Sequence, residues 1–163
     1  VMENTRAAEE RRRTLVLLRS HVERCLQDIW DTRELATDAD DDYPFRFDTA
    51  PCWVSLVAGP VLGVRVFGHA AYGLKPTAKL LNELNDLNVR ARWATLALRD
   101  GIVEVSRDLH WTAVDRISLD AAIHGVGQVA GDVGPLLAAV HGGRTPCPPL
   151  ACESGQDSTE EAA

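Results

Sequence analysis

The sequence predicts an α+β fold: a single domain with elements in the order α-β-β-β-α-β-β-α and an antiparallel five-stranded sheet packed with helices. Three observations predict it. Apolar residues recur at helical spacing in three separate stretches, around Leu15–Ile29, Leu80–Leu87 and Ile123–Val140. Between the first two lie short runs rich in aromatic and β-branched residues, bounded by Asp, Gly and Pro. Asp100-Gly101 joins two further runs as a hairpin.

The first helix is expected over about Thr5–Leu35, where Leu15, Leu18, Val22, Leu26 and Ile29 share a face that most of the charged residues avoid. Asp38, Asp40, Asp41 and Asp42 end it. In the first strand Tyr43, Phe45 and Phe47 alternate with Pro44, Arg46 and Asp48, and the proline suits a strand start or an edge strand. Cys52–Ala58 and Leu62–His69 are the next two strands, parted by Gly59, Pro60 and Gly63. Pro76 suits a helix start, because the first N–H groups of a helix have no partner within it. In the helix that follows, Leu80, Leu84 and Leu87 share one face, while Asn82, Asn85 and Asn88 hold places that a plain surface helix fills with Lys or Glu. Asparagine in a helix costs roughly 0.5 kcal/mol relative to alanine, so these amides are expected to cap the helix end or bond a strand edge, or alternatively to touch a ligand.

Asp100 and Gly101 supply the two positive φ angles of a type I′ turn, which places Leu98 opposite Val103, Ala97 opposite Glu104 and Leu96 opposite Val105. One face of the hairpin is then apolar; the other, with Trp93, Ala97, Ile102, Glu104 and Ser106, is mixed. The last helix is expected over Ser118–Val140, kinked or divided at Pro135 and stopped by Gly142 and Gly143. The domain is expected to span residues 1–143. Residues 144–163, rich in Pro, Ser and acid and without periodicity, are expected to form a disordered tail.

Lys and Arg number 17 against 24 Asp and Glu, a formal charge of -7, which argues against a duplex nucleic acid or an anionic membrane as partner because both need clustered cations. No apolar run approaches the roughly 20 residues of a membrane span, and no secretory signal is apparent, so a cytoplasmic location is expected. At 45% hydrophobic and 25% charged residues the composition is that of an ordinary globular domain.

Several groupings invite a chemical reading, and each has a simpler one. Asp38, Asp40 and Asp42 have the alternate spacing that opens a calcium loop, but its sixth and twelfth places hold Tyr43 and Thr49 in place of Gly and Glu. His110, with Asp108 and Ser106 nearby, lacks the nucleophile elbow or second histidine motif of a triad and reads as a hairpin-end residue. Gly125, Gly127 and Gly131 sit inside a helical pattern, without the preceding strand and Lys-Ser/Thr of a phosphate loop, and read as close helix packing. Cys25, Cys52, Cys147 and Cys152 lack paired CxxC spacing; the first two read as small buried hydrophobes and the last two fall in the tail. No residue is assigned to catalysis, to a metal or to a cofactor.

The sheet offers a more physical route to function. If helices cover the side bearing Val64, Val66, Leu96 and Val105, the opposite side presents Phe67, Trp93, Ala97 and Ile102 beside Arg65, Glu104 and Ser106, with Trp53 if its register agrees. Aromatic anchors among adaptable polar groups suit a peptide or protein contact. The alternative is that the terminal helices or the second subunit of a homodimer cover this face.

The acidic run before Tyr43, the strand VRVF at Val64–Phe67, the LNELNDLN helix, the Asp100-Gly101 hairpin, Asp108-Leu109 and the ending GPLLAAVHGG together resemble the YbjN-type family, over about Leu15–Gly143. Two features depart from its pattern: DADDDY carries no Gly, and His141 stands where members tend to have Phe. The resemblance implies the fold of type III secretion chaperones of the CesT kind and a peptide-binding or chaperone-like adaptor. The expected function is therefore non-enzymatic binding of a peptide or protein client, with Trp53, Arg65, Phe67, Trp93, Ile102 and Asn85 as the binding residues. The alternative is a small-molecule-binding sensory or regulatory domain, for which a closed pocket lined by Asn85, His69 or Arg65 would speak.

Overall fold

The computed structural model describes the backbone of residues 2–149 and the side chains of residues 8–149. Its elements are α1 (Met2–Trp30), β1 (Tyr43–Phe47), β2 (Ala50–Val57), β3 (Gly63–Ala71), α2 (Ala78–Arg90), β4 (Thr95–Arg99), β5 (Ile102–His110), a 3-10 turn (Trp111–Ala113) and α3 (Arg116–His141). This is the order expected. The strands form one antiparallel sheet in the order β1-β2-β3-β5-β4, so α2 carries the chain from β3 to the far edge and the hairpin returns it.

α1 ends at Trp30, short of Leu35, because Asp31 takes a left-handed φ of 49° that no helix continues through. Leu18, Val22, Cys25 and Leu26 are its buried face. The acidic run is built into the fold. Asp38 accepts the backbone N–H of Asp40 and Asp42 through one carboxylate oxygen, closing a turn, and Asp41 pairs with Arg19 at 2.7 Å. The buried Tyr43 hydroxyl donates to Glu23 at 2.8 Å, pinning β1 to α1, and burial followed by that bond pushes it up to about 12.

α2 begins at Ala78, two residues after Pro76. Thr77 is the cap, its side chain accepting from the Leu80 N–H, and Pro76 precedes it. Leu80 and Leu84 are buried in the core, and Leu87 packs partly buried against it. Asn88 bonds a strand edge: its oxygen accepts from the Leu96 N–H at 2.7 Å and its nitrogen donates to the Leu96 carbonyl at 3.0 Å. That amide takes the part of an added strand on the exposed side of β4. Asn88→Ala leaves both backbone groups without these bonds, and urea unfolding should show a loss of about 1–2 kcal/mol. A loss below about 0.3 kcal/mol would mean that water serves Leu96 equally well.

The hairpin pairs Leu96 with Val105, Ala97 with Glu104 and Leu98 with Val103, and Asp100 and Gly101 have φ of 49° and 79°. α3 lies across the sheet, on the same side as α1 and α2. Gly127 and Gly131 do mark close packing, since a Cβ on Gly127 would stand 2.8 Å from the Phe47 ring; Gly125 faces open space. Pro135 does not divide the helix: α3 runs through it as one element, and Gly134 has no Cβ to meet the proline ring. His141, in place of an expected Phe, is nearly buried and bonds Glu83 of α2 at 2.8 Å, tying the two helices together.

Past Gly143 the described chain stays bonded to the sheet. Tyr72 and Arg144 exchange two backbone hydrogen bonds of 2.8 and 2.9 Å, the Cys147 N–H donates to the Thr49 carbonyl, and Arg46 donates to the Pro148 carbonyl. These residues form a strap that runs from the end of α3 past β3 to the β1–β2 turn. The remainder of the expected tail, with Cys152, lies outside the described residues. Among the described residues no helix is long and apolar enough to cross a membrane.

Candidate functional site

Among the described residues one face of the sheet carries no helix, and strand alternation decides what stands on it. Val54, Val66, Val105 and Leu96 point into the core. Their neighbours Trp53, Phe67, Ser106 and Thr95 therefore point out, and the register sets Trp53 beside Phe67 and Phe67 beside Ser106. Arg65, His69, Ala97, Ile102 and Glu104 share that face and are half-buried.

The rings form a connected row. Trp53 stacks on Phe67 with centroids 5.2 Å apart, His69 lies 5.0 Å from Trp53, and Tyr72 meets His69 edge-on at 5.6 Å. The Arg144 guanidinium on the strap covers Tyr72 at 5.3 Å. His69 Nδ1 is hydrogen-bonded to the Tyr72 hydroxyl at 2.9 Å. Burial among the rings pushes the His69 imidazole below its ordinary value, against the pull of Glu104, so the ring is mainly neutral at pH 7. Arg65 is held by Glu104 and Ser106 and lies over Phe67 at 5.9 Å. The middle of the face is thus aromatic and locally charge-balanced, suited to an apolar side chain.

Of the expected binding residues, the structure gathers Trp53, Arg65, Phe67 and Ile102 on this face. Trp93 stands apart. It lies in the loop before β4, 70% exposed, with Arg107 5.6 Å from its ring centroid. Arg107 is opposite Val66 and alternates with Ser106, which assigns it to the helix side. Asn85 is exposed on α2, also on the helix side. Arg65, His69 and Asn85 consequently line no common pocket. His69 was legible as the next alternate residue after Arg65 and Phe67. Tyr72 was not, because a bulge between His69 and Ala71 shifts the alternation before it, and Arg144 was not, because it reaches Tyr72 only through the strap.

The other groupings resolve structurally. His110 accepts from the Thr112 N–H and caps the 3-10 turn. Cys25, Cys52 and Cys147 are free thiols, and burial pushes Cys52 up to about 12, far from a reactive thiolate. Among the described residues no cluster of His, Cys, Asp or Glu could hold a metal ion.

A family model described as T3SS (YopN, CesT) and YbjN peptide-binding chaperone 1 matches residues 17–149. Among solved structures, the chain is similar to one in the crystal structure of the ExsC-ExsE complex, with a TM-score of 0.57 and 14% identity over 72% of this chain and 94% of that one. That likeness is one of fold. No curated protein matches.

Proposed function

We propose that this chain, which belongs to the family of type III secretion and YbjN peptide-binding chaperones, is a non-enzymatic adaptor that takes a peptide or protein client on the helix-free face of its sheet. The observation that carries the reading is the row Trp53–Phe67–His69–Tyr72 lying half-buried on a face without helices. Stacked rings offer apolar area at little entropic cost, because they are already held by one another. Ser106, Glu104 and Arg65 beside them supply hydrogen bonds that fix register.

Trp53→Ala tests it. Client capture from native lysate by the full chain should weaken by more than about 1 kcal/mol, as truncation of a buried aromatic anchor does. Melting followed by circular dichroism shows that the variant is folded, and light scattering shows whether a second copy of the chain occupies the face instead. A folded Trp53→Ala chain that retrieves the same proteins in the same amount would move the client elsewhere. A wild-type dimer that Trp53→Ala dissociates would make the face a subunit interface.

A further inference from the structure

Charge is unevenly spread on the helix-free face. At its centre Arg65 is neutralised by Glu104, and at one end Asp108 stands opposite Arg65. At the other end lie three arginines, Arg46, Arg99 and Arg144, all exposed and none with a carboxylate partner among the described residues. Arg46 is opposite Pro51 on the outer side of β1 and is held by the carbonyls of Asp48 and Pro148. Arg99 pairs in register with Ile102. Arg144 is fixed by its backbone bonds to Tyr72 and by its place over the Tyr72 ring. Two of the three guanidiniums are thus pre-positioned by bonds that leave donors unused, which lowers the cost of ordering them around a ligand.

In a chain of net charge -7, three exposed arginines spaced across that end of the face, from β1 by way of the strap to β4, have a direct chemical complement. We infer that the client segment is an acidic peptide. An apolar or aromatic side chain would seat on Trp53 and Phe67, with carboxylates along the same segment reaching Arg144, Arg99 and Arg46. Planar guanidiniums suit this work, since each can bind a carboxylate through two parallel hydrogen bonds. Asp108 at the far end repels those carboxylates and so orients the segment. The inference rests on the helix-free face being the client site.

The test uses the full chain and two labelled dodecamer peptides sharing the same Leu and Trp anchors, one with four Glu and the other with Gln at those positions. Fluorescence anisotropy at low salt should show the Glu peptide binding about fivefold to tenfold tighter, with the preference fading as salt rises. Arg99→Gln, a surface change at the end of β4, should remove about twofold to threefold of it, and Arg99→Gln with Arg144→Gln most of it. Equal binding of the two peptides, or a preference unchanged in the double variant, overturns the inference. If Trp53→Ala weakens both peptides equally in that case, the face stands as the site and only its charge selectivity falls. If Trp53→Ala changes neither, the face reading falls too. A full chain carrying Glu153→Gln, Asp157→Asn, Glu160→Gln and Glu161→Gln serves as the last arm. Should it bind the Glu peptide more than about tenfold tighter than the unaltered chain, the acids of the chain itself compete for the arginines in cis, and the inference of an external client falls.

Discussion

Leu84→Ala lowers the unfolding free energy by about 2–5 kcal/mol, the range for a fully packed leucine that leaves a cavity behind. Leu84 is 4% exposed and belongs to the same core cluster as Leu80, Leu96 and Val105, so its removal opens a void between α2 and the hairpin. With each kcal/mol worth about 2–4 °C in a domain of this size, the melting temperature should fall by about 10 °C. A change below about 0.5 kcal/mol in urea unfolding would place the stripe on the surface. The exposed Leu81 on the same helix is the control, and Leu81→Ala should cost little, because its side chain already meets water.

Gly134→Ala costs about 3 kcal/mol, a large effect for one methyl group. Its Cβ would lie 2.2 Å from the Ala70 carbonyl oxygen and 3.0 Å from the carbonyl carbon, both backbone atoms of β3 that cannot swing aside. The new methyl also meets the ring of Pro135, which disfavours helical geometry in the residue before it. α3 must then lift off the sheet along a line where Val126, Ala130 and Leu137 are fully buried. Gly125→Ala, with nothing within 4 Å of the added Cβ, should instead be neutral or stabilising by up to about 1 kcal/mol, since alanine is the better helix former. Equal melting temperatures for the two variants would show that α3 tolerates displacement from β3.

Much of this was written in local sequence. The Asp100-Gly101 turn set the hairpin register residue for residue, because two positive φ angles admit few other geometries. The leucine spacing in α2 and the alternation of Arg65 and Phe67 with Val64 and Val66 identified a buried stripe and an outward row, since periods of 3.6 and 2 assign faces without knowledge of the neighbours. One asparagine reading, a bond to a strand edge, was correct for Asn88. What local pattern cannot hold is which element lies across from it. The sheet order puts β5, and not β4, beside β3. Trp93 shares sequence parity with Ala97 yet leans to the helix side, because its loop is not a strand and Arg107 gives its ring a partner there. α3 continues through Pro135, in a helix packed along the sheet by Val126, Ala130 and Leu137. The segment after Gly143, polar and aperiodic, reads as tail by composition, yet backbone hydrogen bonding is blind to composition, and Tyr72 and Thr49 offer it partners. The sequence by itself thus determined the elements, their faces and the hairpin register, which depend on dihedral preference and period. Only the tertiary structure decided the helix-free face, its aromatic row and the arginines at its end, because these arise from residues brought together across the chain.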